Sequence, residues 1–503
     1  MKKILLLLSV VLSMSFMFAC EENNQTVASR IVHNGEQVYV EVDGKPYNYI
    51  GIQLRTDAFM NCEGKTASEL EPYFKLVSEQ HINTIQLPID WRDIEPDKDI
   101  YDFSVVETFL DLAKKYNLKA EFLWFSTNMC GETHTYHIPD YIVDDAVTYP
   151  RYESDYTGTF HSYYGYYLHL EFGNDNLLNR EVKVVKKLMN FVNEWNNKKG
   201  KPNTLIGVQI HNEPDCFPLW RVGNNQIAVK KNGVQITQTE AETQVNKALD
   251  TVGKAFKSTN YKIFTRVNFA LANTMNDYIK SVYELEGVDI VGDDPHENNV
   301  KTISDALQEY RLEGNYPHIA ENRASFSNTN SLILNAMAKR GGYIMYEIAT
   351  SPFFIANSKG GEANPDYGLY TSDLKKRAHT DKVGRFLDMI NKSGYGTVTA
   401  SKDDFITFNE STNAPRKELE KSIRVQGNDL VMSTKSGALG YLIVEKDYLI
   451  LASDLAITIQ NLPATARAEE GYFVDGKWIK NSDVTVADGK LKSGAYKIYK
   501  IVL

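Results

Sequence analysis

The run Thr204-Leu-Ile-Gly-Val-Gln-Ile-His-Asn-Glu-Pro-Asp215 is almost unbroken apolar chain that stops on a carboxylic acid followed by proline. An apolar run of this length reads as a strand buried on both faces, as in a parallel sheet. Ending it in Asn212-Glu213-Pro214 delivers an acid to the strand's C-terminal end, which is where parallel barrels carry their chemistry. The fold therefore turns on how many strands of this kind the chain holds.

Working outward from 204, the chain alternates β-rich runs with helical patterns. The candidate strands are Tyr47 to Arg55, Ile82 to Asp90, Leu118 to Ser126, Thr204 to His211, Tyr261 to Asn268, Val288 to Asp293, His318 to Glu321 and Tyr343 to Ile348. Between and after them, apolar residues at three- and four-residue spacing predict helices over 66–80, 104–116, 180–197, 240–257, 274–284, 300–312, 328–340 and 372–392. Ser104-x-x-Glu107 is expected to act as a capping box. Eight consecutive strand-helix repeats, with no phosphate-type GxGxxG after the first strand, favour a closed barrel over an open doubly wound sheet. From about Thr397 short alternating runs with Asp475-Gly476 and Asp488-Gly489 turns predict an antiparallel domain. The expected class is α/β: a (β/α)8 TIM barrel over 30–395, then a small antiparallel β-sandwich over 396–503, the latter read as a structural cap in preference to a carbohydrate-binding module.

The composition of 43% hydrophobic and 24% charged residues is that of a globular chain, and a net charge of -10 leaves no basic face for nucleic acid. Tyrosine is unusually frequent, 30 against 22 Phe and 5 Trp. Several tyrosines cluster in the long insertion after the third strand, Thr127 to Asn179, with Tyr152, Tyr156, Phe160, His161, Tyr163, Tyr164, Tyr166, Tyr167 and His169. The insertion can wall a sugar cleft or simply pack its own aromatics over the rim.

At the N-terminus Lys2-Lys3 precede an apolar stretch from Ile4 to Phe18, then Ala19-Cys20 and polar residues. This resembles a bacterial lipoprotein signal. The resemblance implies a signal peptide over 1–19, lipid on Cys20, a tether over 20–29, and a protein held on the cell envelope through that anchor alone, at the periplasmic face or the outer-membrane surface. About 15 apolar residues fall short of the ~20 that span a bilayer. Cys62, Cys130 and Cys216 form no CxxC pair or zinc pattern; a disulfide between two of them is left open.

The Asn212-Glu213 pair at the end of strand 4 resembles the large clan of retaining glycoside hydrolases with (β/α)8 barrels, which carry their acid/base there and their nucleophile at the end of strand 7. Tyr316-Pro-His-Ile-Ala-Glu-Asn-Arg323 offers Glu321 at that place. The resemblance implies Glu213 as general acid/base, Glu321 as nucleophile and Asn212 as a partner of the sugar 2-hydroxyl. Retaining hydrolysis needs two carboxyl groups roughly 5–5.5 Å apart, one protonated and one ionised. The structural alternatives are a helix-capping role for Glu213 and an ion pair of Glu321 with Arg323. A second segment, Trp91-Arg-Asp-Ile-Glu-Pro-Asp-Lys-Asp-Ile-Tyr-Asp-Phe103, is similar to one after strand 2 of barrel β-galactosidases, with Asp99 where glycine is usual; it reads as scaffold.

Position alone nominates Arg55, Trp124, Asn268, His296 and Tyr346-Glu347 as substrate-binding residues at the mouth, with Gln53 and His211 as further candidates. Asp293-Asp294 with Glu297 reads as a solvated loop end before a cation site. The functional expectation is a retaining glycosidase of β-linked oligo- or polysaccharide, β-galactosidase-like, needing no cofactor and taking carbohydrate as its partner. A surface glycan-binding lipoprotein without catalysis and a transglycosylase remain alternatives.

Overall fold

The computed structural model describes residues 25–35, 37–154, 167–224, 229–271, 276–357, 366–395, 405–409, 418–434 and 437–503. Eight parallel strands close into a barrel: β1 (Ile50–Gln53), β2 (Thr84–Pro88), β3 (Lys119–Met129), β4 (Leu205–Asn212), β5 (Phe264–Phe269), β6 (Ile290–Asp293), β7 (His318–Arg323) and β8 (Gly342–Tyr346), with β8 pairing back onto β1. Nearly every strand residue is buried, as expected of strands walled by helices outside and side chains inside. The fold class expected from the count of repeats is the one observed.

The principal helices are α1 (Glu71–Glu79), α2 (Ser104–Lys115), α3 (Asp175–Lys198), α4 (Gln238–Lys257), α5 (Asn276–Tyr283), α6 (Val300–Glu309), α7 (Thr329–Ala338) and α8 (Thr380–Lys392). α3 starts at Asp175, five residues before the expected 180, behind the N-cap Asn174, whose side chain accepts from the N–H groups of Asn176 and Leu177. The Ser104-Glu107 capping box does not form. Ser104 is the first helical residue and its own N–H is taken by Asp102 Oδ1 at 2.8 Å.

Inside the barrel the Glu121 carboxylate of β3 accepts from Arg266 Nε of β5, from Tyr49 Oη and, at 2.7 Å, from Gln86 Nε2 of β2. Both charged side chains are fully buried. Below this layer Val40 and Val42 pack with Ile206, Phe264, Ile290 and Ile344 near the strand starts. They belong to an antiparallel sheet, Ser29–Asn34, Gln37–Val42 and Lys45–Pro46, which closes the N-terminal end of the barrel. Thr26–Val27, within the span expected as tether, pairs with Tyr261–Lys262.

The segment after β2 is scaffold in its contacts. Trp91 Nε1 and Tyr141 Oη donate to Glu95 Oε2 at 3.0 and 2.6 Å, and Arg180 of α3 pairs with Glu95 and, at 3.0 Å, with Asp99. Asp99 has φ +66°, the left-handed region that makes glycine the easier residue there.

The C-terminal residues form two antiparallel sheets. One has six strands ordered β9 (Phe405–Phe408), β12 (Gly440–Val444), β13 (Leu449–Ser453), β18 (Lys497–Val502), β15 (Arg467–Val474) and β16 (Lys477–Val484). The other has β10 (Leu419–Val425), β11 (Asn428–Thr434), β14 (Thr458–Gln460) and β17 (Leu491–Lys492). Leu430, Leu442, Leu451, Ile459 and Leu491 are among the apolar side chains buried between them. Tyr441, Ile443, Ile450 and Ile498 instead join the barrel's core cluster with Phe386 and Ile390 of α8, and Tyr441 Oη donates to Ser393 Oγ at 2.7 Å. The expected 395/396 boundary falls at the edge of undescribed residues.

Candidate active site

Glu213 follows β4 directly and has φ +47°, so the chain turns sharply as the strand ends. The turn is fastened by side chains from the neighbouring strand: Glu213 N–H donates to Asn268 Oδ1 at 3.1 Å, and Asn268 Nδ2 donates to Asn212 Oδ1 at 3.0 Å and to Asp294 Oδ2 at 2.6 Å. Gln209 Nε2 also donates to Asn212 Oδ1, at 3.0 Å. Asp215 accepts from the N–H groups of Ala270 and Leu271 at 3.3 and 2.7 Å, tying the loop after β5 to the loop after β4.

Across the mouth Glu321 of β7 is 5% exposed. Gln53 Nε2 of β1 donates to its Oε1 at 3.1 Å, and His296 Nε2 stands 3.9 Å from its Oε2. Arg55 forms a bidentate pair with Asp57, at 2.9 and 2.7 Å, and donates to Tyr346 Oη at 3.1 Å. Tyr346 packs edge-on against His296, ring centres 5.4 Å apart.

The electrostatics divide the two acids. Burial, then the charge of Glu321, push the Glu213 carboxyl up to about 7, and a hydrogen bond from Cys130 opposes them. Burial also raises Glu321, but there the Arg55 guanidinium, the Gln53 amide and Arg266 pull the group back towards ionisation. Glu347, which follows β8, is raised to about 8 by burial against the opposing charge of Arg55.

Of the residues nominated from sequence, Asn212, Glu213, Asn268, Glu321, Arg55, His296 and Tyr346 gather at the C-terminal mouth, with Gln53. Trp124 and His211 do not, and that expectation is corrected. Trp124 is fully buried on the helix side, its Nε1 donating to Glu181 Oε1 of α3 at 2.8 Å beside Trp91. His211 Nε2 stands 3.6 Å from the same Glu181 oxygen. Strand residues alternate between faces, so Trp124, three residues after inward-facing Glu121 in a regularly paired stretch, points outward, whereas at His211 the pairing breaks after Ile210 and φ is +60°.

Asp293 is raised to about 7 and Asp294 well above the usual carboxylate range, burial being the main cause in each; Asp294 is a hydrogen-bonded member of the site and not a solvated loop end. Among the described residues no group of three His, Cys, Asp or Glu side chains is disposed to hold a metal ion. Among the described residues no disulfide joins any two of Cys62, Cys130 and Cys216. In the long insertion Tyr152 and His169 are buried against Phe217, ring centres 5.5 and 6.0 Å away. Tyr156, Phe160, His161, Tyr163, Tyr164 and Tyr166 lie outside the described residues, as does Cys20. Sequence reasoning missed Cys130, Asp57 and Asp215. Ending the third strand at Ser126, when it continues to Met129, left Cys130 with no assigned place.

The protein is thus a (β/α)8 barrel with paired acids at the mouth. A family described as "Domain of unknown function (DUF4978)" matches residues 244–415, which span β5 to β8. No curated protein matches the sequence. Among solved structures, the chain is similar to the exo-beta-1,4-mannosidase Op5Man5 from Opitutaceae bacterium strain TAV5, with a TM-score of 0.46 and 13% identity. The match covers 69% of this chain and 60% of that one.

Proposed function

We propose that the protein is a retaining glycoside hydrolase acting on β-linked oligo- or polysaccharide, with Glu213 as general acid/base and Glu321 as nucleophile. One observation carries the reading: of two acids at the ends of β4 and β7, Glu213 feels the charge of Glu321 and is pushed to about 7, while Arg55 and Gln53 favour the ionised form of Glu321. A neutral acid beside an ionised one is what double displacement requires. Glu321 attacks the anomeric carbon as Glu213 gives its proton to the leaving oxygen. Glu213, now ionised, takes a proton from the water that attacks the glycosyl-enzyme ester, and Glu321 leaves as carboxylate. Asn212 is the partner of the sugar 2-hydroxyl, and Tyr346 and His296 border the ring that binds beside Glu321.

The finer proposal is β-galactosidase-like specificity on an exported protein anchored through lipid on Cys20. A panel of aryl β-galactosides, β-mannosides, β-glucosides and β-xylosides, followed by polysaccharides, tests the activity. An activated 2-deoxy-2-fluoro glycoside of the preferred sugar should label Glu321, read by peptide mass spectrometry. Glycan binding without turnover, or labelling at another residue, overturns the assignment, and transfer to sugar acceptors in place of water makes the protein a transglycosylase. Incorporation of radiolabelled palmitate, lost in Cys20→Ser, tests the anchor.

A further inference from the structure

Cys130 is held beside the acid pair by several independent restraints. Met129, the last residue of β3, pairs with Asn212, and the Cys130 N–H donates to the Asn212 carbonyl at 2.8 Å. The residue has φ +53°, which a side chain bearing a β carbon adopts only under constraint. Gly131 follows at φ +82°; a β carbon there would lie 2.8 Å from the Phe217 nitrogen, so the loop after β3 presses directly on the segment after β4. Met129 and Glu132 exchange main-chain hydrogen bonds at 2.8 and 3.2 Å, and Glu132 pairs with Arg221 at 2.7 Å. All this places Cys130 Sγ 2.9 Å from Glu213 Oε2 and 3.5 Å from Asn212 Nδ2.

We propose that Cys130 is a positioning residue for Glu213: its thiol donates to Oε2 while accepting from the Asn212 amide, so that one sulfur holds the acid/base and its neighbour in fixed relation. The proposal rests on the glycosidase assignment of Glu213. Burial and the charge of Glu213 push the thiol well above its ordinary range, so the S–H persists when Glu213 ionises. A donor that stays protonated favours the carboxylate and opposes the burial and the Glu321 charge that raise Glu213. It thereby keeps the group able to act as acid in the first step and base in the second. A buried cysteine serving only as a small apolar filler would do none of this.

Cys130→Ala and Cys130→Ser carry the same β carbon in the same strained turn, and only serine keeps a donor. In Cys130→Ala the basic limb of kcat/KM should move up by about half to one pH unit, the worth of one weak-donor hydrogen bond, while Cys130→Ser should stay near the wild-type limb. An alanine limb coincident with wild type overturns the proposal. A second arm needs no turnover: iodoacetamide alkylation of Cys130 at pH 8, read peptide by peptide, should run several-fold faster in Glu213→Gln than in wild type, because the carboxylate that suppresses the thiolate is gone. Equal rates overturn the contact. If the wild type cleaves no glycoside the glycosidase reading falls by itself, and the alkylation arm still decides whether the thiol answers to Glu213.

Discussion

Gln53 of β1 and Glu321 of β7 are joined by a single buried hydrogen bond, Nε2 to Oε1 at 3.1 Å. The donor stabilises the ionised form of the acid, alongside Arg55. Gln53→Leu should therefore raise the Glu321 pKa and move the acid limb of kcat/KM upward. A hydrogen bond to a charged group is worth roughly 1.5–3 kcal/mol, which is about one to two pH units. A pH profile in which only the basic limb moves would contradict the role given to Glu321.

Glu213 links the site to stability with a definite sign. Its folded pKa, about 7, lies above its ordinary value of 4.5, so between those two values the native state holds more protons than the unfolded one. Below pH 4.5 the protonated group costs nothing; as pH rises through 7 the native state loses stability. Glu213→Gln should remove this loss, gaining about 3 kcal/mol over wild type at pH 8 and little at pH 4. Denaturant melts at the two pH values measure it.

Trp124 should behave as a structural residue. Trp124→Phe removes the hydrogen-bond donor to Glu181 and leaves its buried oxygen only the longer approach of His211 Nε2 at 3.6 Å, at a cost of about 1–3 kcal/mol. The midpoint of urea unfolding should fall while KM holds, whereas Tyr346→Phe, which loses the Oη that accepts from Arg55, should change kcat with a much smaller effect on stability.

The barrel interior offers a sharper test of stability. Glu121→Gln removes the charge opposite fully buried Arg266. Breaking such a pair on one side costs roughly 3–5 kcal/mol, and the thermal midpoint should drop accordingly. A change below ~1 kcal/mol would mean that water reaches the Arg266 guanidinium.

The amino-acid sequence alone determined the repeat count, and through it the barrel and the strand ends on which Glu213 and Glu321 sit. Local pattern carries that information because a strand buried on both faces must be apolar and an intervening helix must show its own period. The same patterns placed α2 correctly but put its N-cap one position late, at Ser104 where Phe103 stands, and the Ser104 N–H that Glu107 would take in a capping box goes to Asp102.

Tertiary structure decided the rest. Which face of a strand a residue occupies is decided by its place in the folded barrel: Trp124 alternates away from inward-facing Glu121, and His211 sits where the pairing of β4 with β3 shifts after Ile210. The proximity of Cys130 to Glu213, 83 residues away, and the division of protonation between two glutamates come from burial and from charges brought together through space. Such couplings arise only when the barrel closes, so no stretch of chain read by itself contains them.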